Sequence, residues 1–172
     1  MTAAPSSTPW VRRLARREDL ARIVEIYNAT IPSRQVTADL EAVSVASREP
    51  WFAAHTDAHR PLWVAEADGQ VIAWLSFSSF YGRPAYDGTV EISVYVDEAH
   101  RARGLGRELL AAAITHAPSL SARTLLGFIF AHNAPSLRLF QRHGFETWGH
   151  LPRVAQLDGI ERDLVIVGRR VP

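Results

Sequence analysis

The stretch TVEISVYVDEAHRARGLGRELL, residues 89–110, holds the densest chemistry in the chain. A β-branched strand runs through Arg101-Ala102-Arg103-Gly104-Leu105-Gly106 and directly into a helix whose apolar face is Leu105, Leu109, Ala112 and Ala113. Glycines let a backbone turn tightly and approach a ligand, and the first turn of a helix carries about four unpaired N–H groups and a partial positive charge. Together they make an anion site suited to a pyrophosphate, and Arg101, Arg103 and Arg107 add fixed positive charge around it. The motif is not a Walker A loop, which needs lysine, nor a Rossmann fingerprint, which needs a third glycine at a set spacing. The alternative is a strand–turn–helix whose glycines serve packing alone. Upstream, alternation puts Glu91, Ser93 and Tyr95 on one face of the strand and Ile92, Val94 and Val96 on the other.

What the chain lacks narrows the chemistry further. Its 172 residues suit one domain, and 47% hydrophobic with 22% charged residues suits a soluble protein with a core. Basic and acidic residues number 19 and 18, a net charge of +1, so no broad basic field exists to hold nucleic acid. Cysteine is absent, which excludes disulfides, thiolate metal sites and a thiol nucleophile. All 19 basic residues are arginine, which excludes a Schiff-base lysine. Among seven histidines only His55 and His59 stand four apart, on a segment with no helical period, so no metal is expected. No G-x-S-x-G elbow occurs. No apolar run approaches the roughly 20 residues of a membrane span, and MTAAPSSTPW is no secretory signal, so the expected compartment is the cytoplasm.

The elements that must position these residues follow from periodicity. Residues 1–9 read as a loose tail and 10–172 as one domain. A short strand over 10–15 precedes a helix of about four turns, with Leu20, Ile23, Val24, Tyr27 and Ile31 on its apolar face and Pro32 as its stop. Residues 32–60 lack a clean period, and Glu49-Pro50-Trp51-Phe52 suggests a broken or two-part helix. Strands over 62–67 and 70–77 flank Asp68-Gly69, the strongest hairpin pattern in the chain. A loop over 81–88 leads to the strand over 89–96; a strand over 124–130, a short helix ending at Gly144, and strands over 145–157 and 161–167 complete an α/β domain.

With these elements in place, the chain resembles the GNAT acetyltransferase superfamily, whose cofactor motif is [Q/R]-x-x-G-x-[G/A] after a bulged central strand. More narrowly it resembles the phosphinothricin and methionine-sulfoximine N-acetyltransferases. The matching residues are Ile26-Tyr27-Asn28, Trp63-Val64-Ala65-Glu66, Asp68-Gly69, Arg83-x-x-Tyr86-x-x-Thr89-Val90-Glu91, Ser93-Val94-Tyr95-Val96, Arg101 to Gly106, Asn133-x-x-Ser136 and Gly144-Phe145. The resemblance implies a GNAT fold: a mixed, mostly antiparallel sheet flanked by helices, with splayed central strands holding acetyl-CoA. No metal is implied.

The resemblance also implies roles. Backbone groups of Val94 and Val96 would pair with the pantetheine arm, beside Tyr95, and an N–H at Val94 would face the thioester oxygen. Amides of Arg101, Ala102, Arg103, Gly104, Leu105 and Gly106, with Arg107, would hold the pyrophosphate. Asn133 would bond the arm, cap the following helix, or both. Glu91 would take the acceptor's proton or orient its ammonium. Arg83 and Tyr86, in the run that includes Thr89 and Val90, would bind the acceptor's carboxylate, with Phe80 and Tyr81 as wall; Arg83 as a solvated loop residue is the alternative. The expected reaction is direct acetyl transfer, in a ternary complex, to the α-amino group of a small amino acid or analogue. A polyamine, aminoglycoside or protein N-terminus as acceptor, or a non-catalytic acetyl-CoA-binding module, are the rivals. The family is frequently dimeric, so a homodimer is an expectation, though no sequence feature marks an interface. Two departures stand out. Phe140 occupies the position where relatives carry a proton-donating Tyr or His, and Phe80-Tyr81 replaces a common Trp-Arg pair.

Overall fold

The computed structural model describes residues 9–172; the expected tail lies, up to residue 8, outside the described residues. The elements are β1 (Val11–Leu14), α1 (Leu20–Asn28), α2 (Val45–Ala53), β2 (Leu62–Ala67), β3 (Gln70–Ser79), β4 (Thr89–Val96), α3 (Leu105–His116), β5 (Thr124–Phe130), α4 (Ala134–Arg142), β6 (Glu146–Leu157) and β7 (Ile160–Arg170). One seven-stranded sheet has the order β1-β2-β3-β4-β5-β7-β6. Every pairing is antiparallel except β4 with β5. This is the α/β domain that the periodicity predicts, with the mixed, mostly antiparallel sheet that the resemblance implies.

Local chemistry explains the elements and two differences from expectation. Asp68 and Gly69 both hold positive φ, 50° and 75°, as a two-residue hairpin loop requires, and Asp158 and Gly159 repeat the device between β6 and β7. The first helix is shorter than its apolar period suggests: α1 ends at Asn28, and Ile31–Ser33 form a separate single turn. Pro32 has no N–H for the Asn28 carbonyl and its ring crowds that carbonyl, so the α-helical bonding cannot run on through it and the chain tightens into the single turn. The ambiguous segment yields one helix rather than two parts. Ser44 caps α2 by accepting the Ser47 N–H at 3.1 Å, and Pro50 is carried inside the helix.

Apolar side chains pack on both faces of the sheet. On one, Ile23 and Ile26 of α1 lie against Val64, Val71 and Trp74. On the other, Leu109 and Ala113 of α3 and Phe140 of α4 lie against Leu75, Phe77, Ile92 and Leu125. Leu109 has no exposed surface, so its truncation to alanine costs about 2–5 kcal/mol.

The central strands position the site. β4 and β5 pair only over Thr89–Thr124, Val90–Leu125 and Glu91–Leu126. Both strands continue, β4 to Val96 and β5 to Phe130, so they part beyond Glu91. The edge of β4 from Ile92 onward is therefore unpaired on that side. The bulge carried by the resemblance is absent from the β3–β4 ladder, whose register runs unbroken from Ala73–Val96 to Ser79–Val90. The splay comes from the parallel pair ending, with no extra residue inserted against β3.

Candidate active site

Two cavities meet at β4, and Tyr95 lines both. The first, of about 460 Å³, follows the splayed edge of β4 and the turn into α3. Ten residues singled out in the sequence converge on it: Val94, Tyr95, Val96, Arg101, Ala102, Gly104, Leu105, Gly106, Arg107 and Asn133. Arg103, expected among them, lines a separate cavity with Trp10, His100 and Glu108. Consecutive residues 101–104 alternate sharply in direction here, with Ala102 at φ 60° and Gly104 at φ 84°.

Gly104 stands at the head of α3 in the left-handed region that favours glycine. The Glu108 N–H closes the first bond back to the Gly104 carbonyl. The amides of Leu105, Gly106 and Arg107 are therefore first-turn donors without intrahelical acceptors. A Cβ on Gly106 would lie 3.7 Å from Val96 and 3.8 Å from Val94, so the helix head sits directly on the splayed strand. Donor amides, a helix dipole and two guanidiniums at one end of a groove fit a diphosphate, and the unpaired strand edge fits an amide-bearing arm. Asn133 is buried, and its side chain accepts the Ser136 N–H at 3.2 Å, so it caps α4 while lining the groove. The sequence reading missed Thr30, Gln35 and Val36, which the loop after α1 lays along the same groove.

The second cavity, of about 340 Å³, lies on the other face of β4. Glu91, Ser93 and Tyr95 enter it together, as their alternation predicts, with Ser76 and Ser78 from β3. Helices α1 and α2 supply Tyr27, Arg48 and Trp51, which no motif had marked. Trp74 forms an aromatic wall, stacked on Tyr95 with centroids 4.4 Å apart and edge-on to Trp51 at 5.5 Å. Burial pushes the Glu91 carboxyl up from its usual range, and no neighbouring charge opposes the shift. Burial also pushes the Tyr95 hydroxyl up, so it remains a proton-bearing donor. A poorly solvated carboxylate with raised proton affinity can receive a proton from an amine in this cavity.

The loop residues fall elsewhere. Phe80, Arg83 and Tyr86 line a third cavity, of about 400 Å³, which shares no residue with the one around Glu91. Tyr81 is 77% exposed and packs on Phe80 and Tyr86. Buried Arg60 anchors this loop, donating to the Asp87 carbonyl at 2.8 Å and to Ser79 at 3.0 Å. The loop was expected to open onto the Glu91 cleft; within this chain it lines a cavity of its own instead. Val90, also expected at the acceptor, is wholly buried in the core, and Thr89 pairs with Thr124 outside both cavities. His55 and His59 diverge: one bonds the Trp51 carbonyl, the other approaches Asp87.

Phe140 lines neither cavity at the site. It is buried edge-on against Phe145, and a Cβ on Gly127 would come within 2.9 Å of its ring. The ring occupies the room that the glycine leaves on β5.

Known proteins bear on this geometry. The acetyltransferase (GNAT) family matches over residues 20–145. A Bacillus subtilis protein, YwnH, provisionally named a phosphinothricin acetyltransferase, is 53% identical over 160 residues, 92% of this chain and 98% of its own length. An L-methionine sulfoximine/L-methionine sulfone acetyltransferase of Pseudomonas paraeruginosa is 35% identical over 87% of both chains. Among solved structures, a GNAT-superfamily phosphinothricin acetyltransferase from Sinorhizobium meliloti in complex with acetyl-CoA superposes with a TM-score of 0.88 at 28% identity, covering 94% of this chain and 88% of that one.

Proposed function

The chain belongs to the GNAT acetyltransferase family, and on that premise we propose that it transfers the acetyl group of acetyl-CoA to the α-amino group of a small amino acid or amino-acid analogue. The observation that carries this reading is the meeting of two cavities at Tyr95, one headed by a helix N-terminus and the other holding Glu91. The diphosphate of coenzyme A lies at the amides of Gly104 to Arg107, with Arg101 and Arg107 beside it. The pantetheine arm pairs with the open edge of β4, and the thioester oxygen meets the backbone there, near Val94.

The acceptor amine binds in the Glu91 cavity at the same time. Glu91 draws off one proton directly or through one water, the neutral nitrogen attacks the thioester in one ternary complex, and the second proton that the new amide sheds passes to the departing thiolate or to water. No thiol exists in the chain to carry an acyl intermediate. Because Phe140 donates no proton, coenzyme A departs as a thiolate, which a thiol pKa of about 8.5 makes tolerable. Water or the Tyr95 hydroxyl, which burial keeps protonated, supports that charge.

Thiol release from acetyl-CoA, measured over amino acids, polyamines, aminoglycosides and peptide N-termini, tests the reading. Turnover confined to free amino acids and their analogues is expected. Tight acetyl-CoA binding with no turnover on any amine would leave a sensor in place of an enzyme.

A further inference from the structure

We infer that Arg34 positions both substrates at once, as the clasp of a strap that spans the wedge between β4 and β5. The inference rests on the acetyl-transfer reading and adds to it a residue that lines neither cavity. The strap is residues 29–44, the segment between α1 and α2.

On the β4 side the strap is tied to the two helices. The Asn28 side chain donates to the Val43 carbonyl and accepts the Val43 N–H, each at 2.9 Å, which draws the ends of the segment together. Tyr27, whose ring lies 5.3 Å from that of Tyr95 on β4, bonds through its hydroxyl to Thr37 and Asp39. Arg48 of α2 donates to Asp39 at 2.9 Å. On the β5 side the anchors meet at Arg34. Its Nε and Nη2 donate to the two carboxylate oxygens of Asp158, in the β6–β7 turn, at 2.7 and 3.2 Å. Such a fork-to-carboxylate pair fixes direction as well as distance. The Arg34 carbonyl accepts from His132 Nε2 at 2.7 Å. His132 is stacked on Phe130 at the end of β5 and immediately precedes Asn133 in the groove.

Arg34 sits at φ 55°, a left-handed conformation that a non-glycine residue keeps only where its surroundings hold it. It also donates to the carbonyls of Ile31 at 3.3 Å and Leu40 at 2.8 Å, which sets the curve of the strap itself. The residues that follow carry the consequence. Gln35 and Val36 line the coenzyme A groove. Thr37, one residue on, is bonded to Tyr27, which lines the Glu91 cavity. The strap thus passes from one cavity wall to the other within three residues. A pantetheine arm on the open edge of β4 lies against Val36, and an acceptor beside Glu91 lies against the tyrosine that Thr37 holds. Without the anchors at Arg34 both walls lose the same support.

The test uses the full chain, coenzyme A, acetyl-CoA and L-methionine sulfone as acceptor. Asp158→Asn removes the charge and keeps a residue that tolerates the turn at φ 51°. Because Asp158 is exposed, its effect is modest. Coenzyme A release, followed by stopped flow, is expected to quicken about three- to tenfold, and the acceptor KM at saturating acetyl-CoA to rise by a similar factor. Arg34→Ala also loses the two carbonyl bonds and is expected to change both about tenfold or more, with Arg34→Lys recovering part of each. His132→Ala added to Arg34→Ala should add little, since both loosen one segment. A lower Tm with both parameters unchanged would make the pair a fastener of the hairpin and overturn the inference. So would a change confined to one substrate. Wild-type protein that binds coenzyme A and releases no thiol with any amine overturns the acetyl-transfer reading itself, and this inference with it.

Discussion

The two cavities that meet at Tyr95 are built in opposite ways. The groove on the α3 side draws most of its wall from one run of sequence, Val94 to Arg107, with Asn133 added from the head of α4. The Glu91 cavity gathers single residues from α1, α2, β3 and β4, separated by up to about 70 positions. A site made of backbone amides needs a contiguous turn, because its donors are the turn itself. A site that must recognise one small molecule from several sides needs side chains from several elements. The first kind of site leaves a motif, and the second leaves none.

The largest effect that can break this contrast is at Glu91. Glu91→Gln is expected to lower kcat by about 10²–10⁴-fold while coenzyme A binds with unchanged Kd by calorimetry. A fall in both would mean that the cavities are not separable. The acid side of the wild-type pH–rate profile sharpens the point. Burial raises the Glu91 pKa, so activity is lost as pH falls through a value above the ordinary 4.5, and the Gln variant should lose that limb.

Gly104→Val tests the other half. A β-branched residue at φ 84° costs about 1–2 kcal/mol and crowds the amide cradle, so Kd for coenzyme A should rise about tenfold or more. The acceptor KM, read at saturating acetyl-CoA, should hold. An unchanged Kd would remove the helix head from the binding site.

The same distinction explains what could be read in advance. The hairpins announce themselves through Asp-Gly pairs, and β4 and α3 through period and glycine placement, because each of these is local chemistry. Alternation along β4 correctly sent Glu91, Ser93 and Tyr95 to one face. Arg48 and Trp51 stayed hidden because α2 shows no clean apolar stripe and has a proline within it. Arg83 lies apart from Glu91 for the converse reason. An arginine beside a promising motif is near it in sequence, yet the turn at Tyr81, with φ 55°, carries the loop to its own cavity, away from Glu91. The end of the β4–β5 pairing at Glu91 also left no trace in sequence, since it depends on where another strand runs.

A smaller effect separates chemistry from stability at the same carboxylate. A carboxyl whose pKa is raised on folding destabilises the native state once it ionises. That cost is absent below the ordinary glutamate pKa and grows as pH rises to and through the raised one. Glu91→Gln should therefore raise Tm at pH 7, and the gain should vanish near pH 4. A lower Tm at pH 7 would show that the carboxylate holds the fold together, contrary to its lack of any compensating partner.

The smallest effect concerns Phe140, at the position where the resemblance led one to expect a proton donor. If Phe140 were at the edge of the site, Phe140→Tyr would supply a hydroxyl to the departing thiolate and raise kcat. The structure argues otherwise, because the ring is buried against Gly127 and Phe145 and lines neither cavity. A hydroxyl added there is surrounded by apolar groups, and burying it without a partner costs about 1–3 kcal/mol. The variant should thus lose a few degrees of Tm while kcat changes by less than about twofold. A clear rise in kcat would place the ring's edge at the junction of the two cavities and give the leaving group a donor from α4. A stable variant of unchanged rate leaves thiolate departure, with the Tyr95 hydroxyl and water to support the charge.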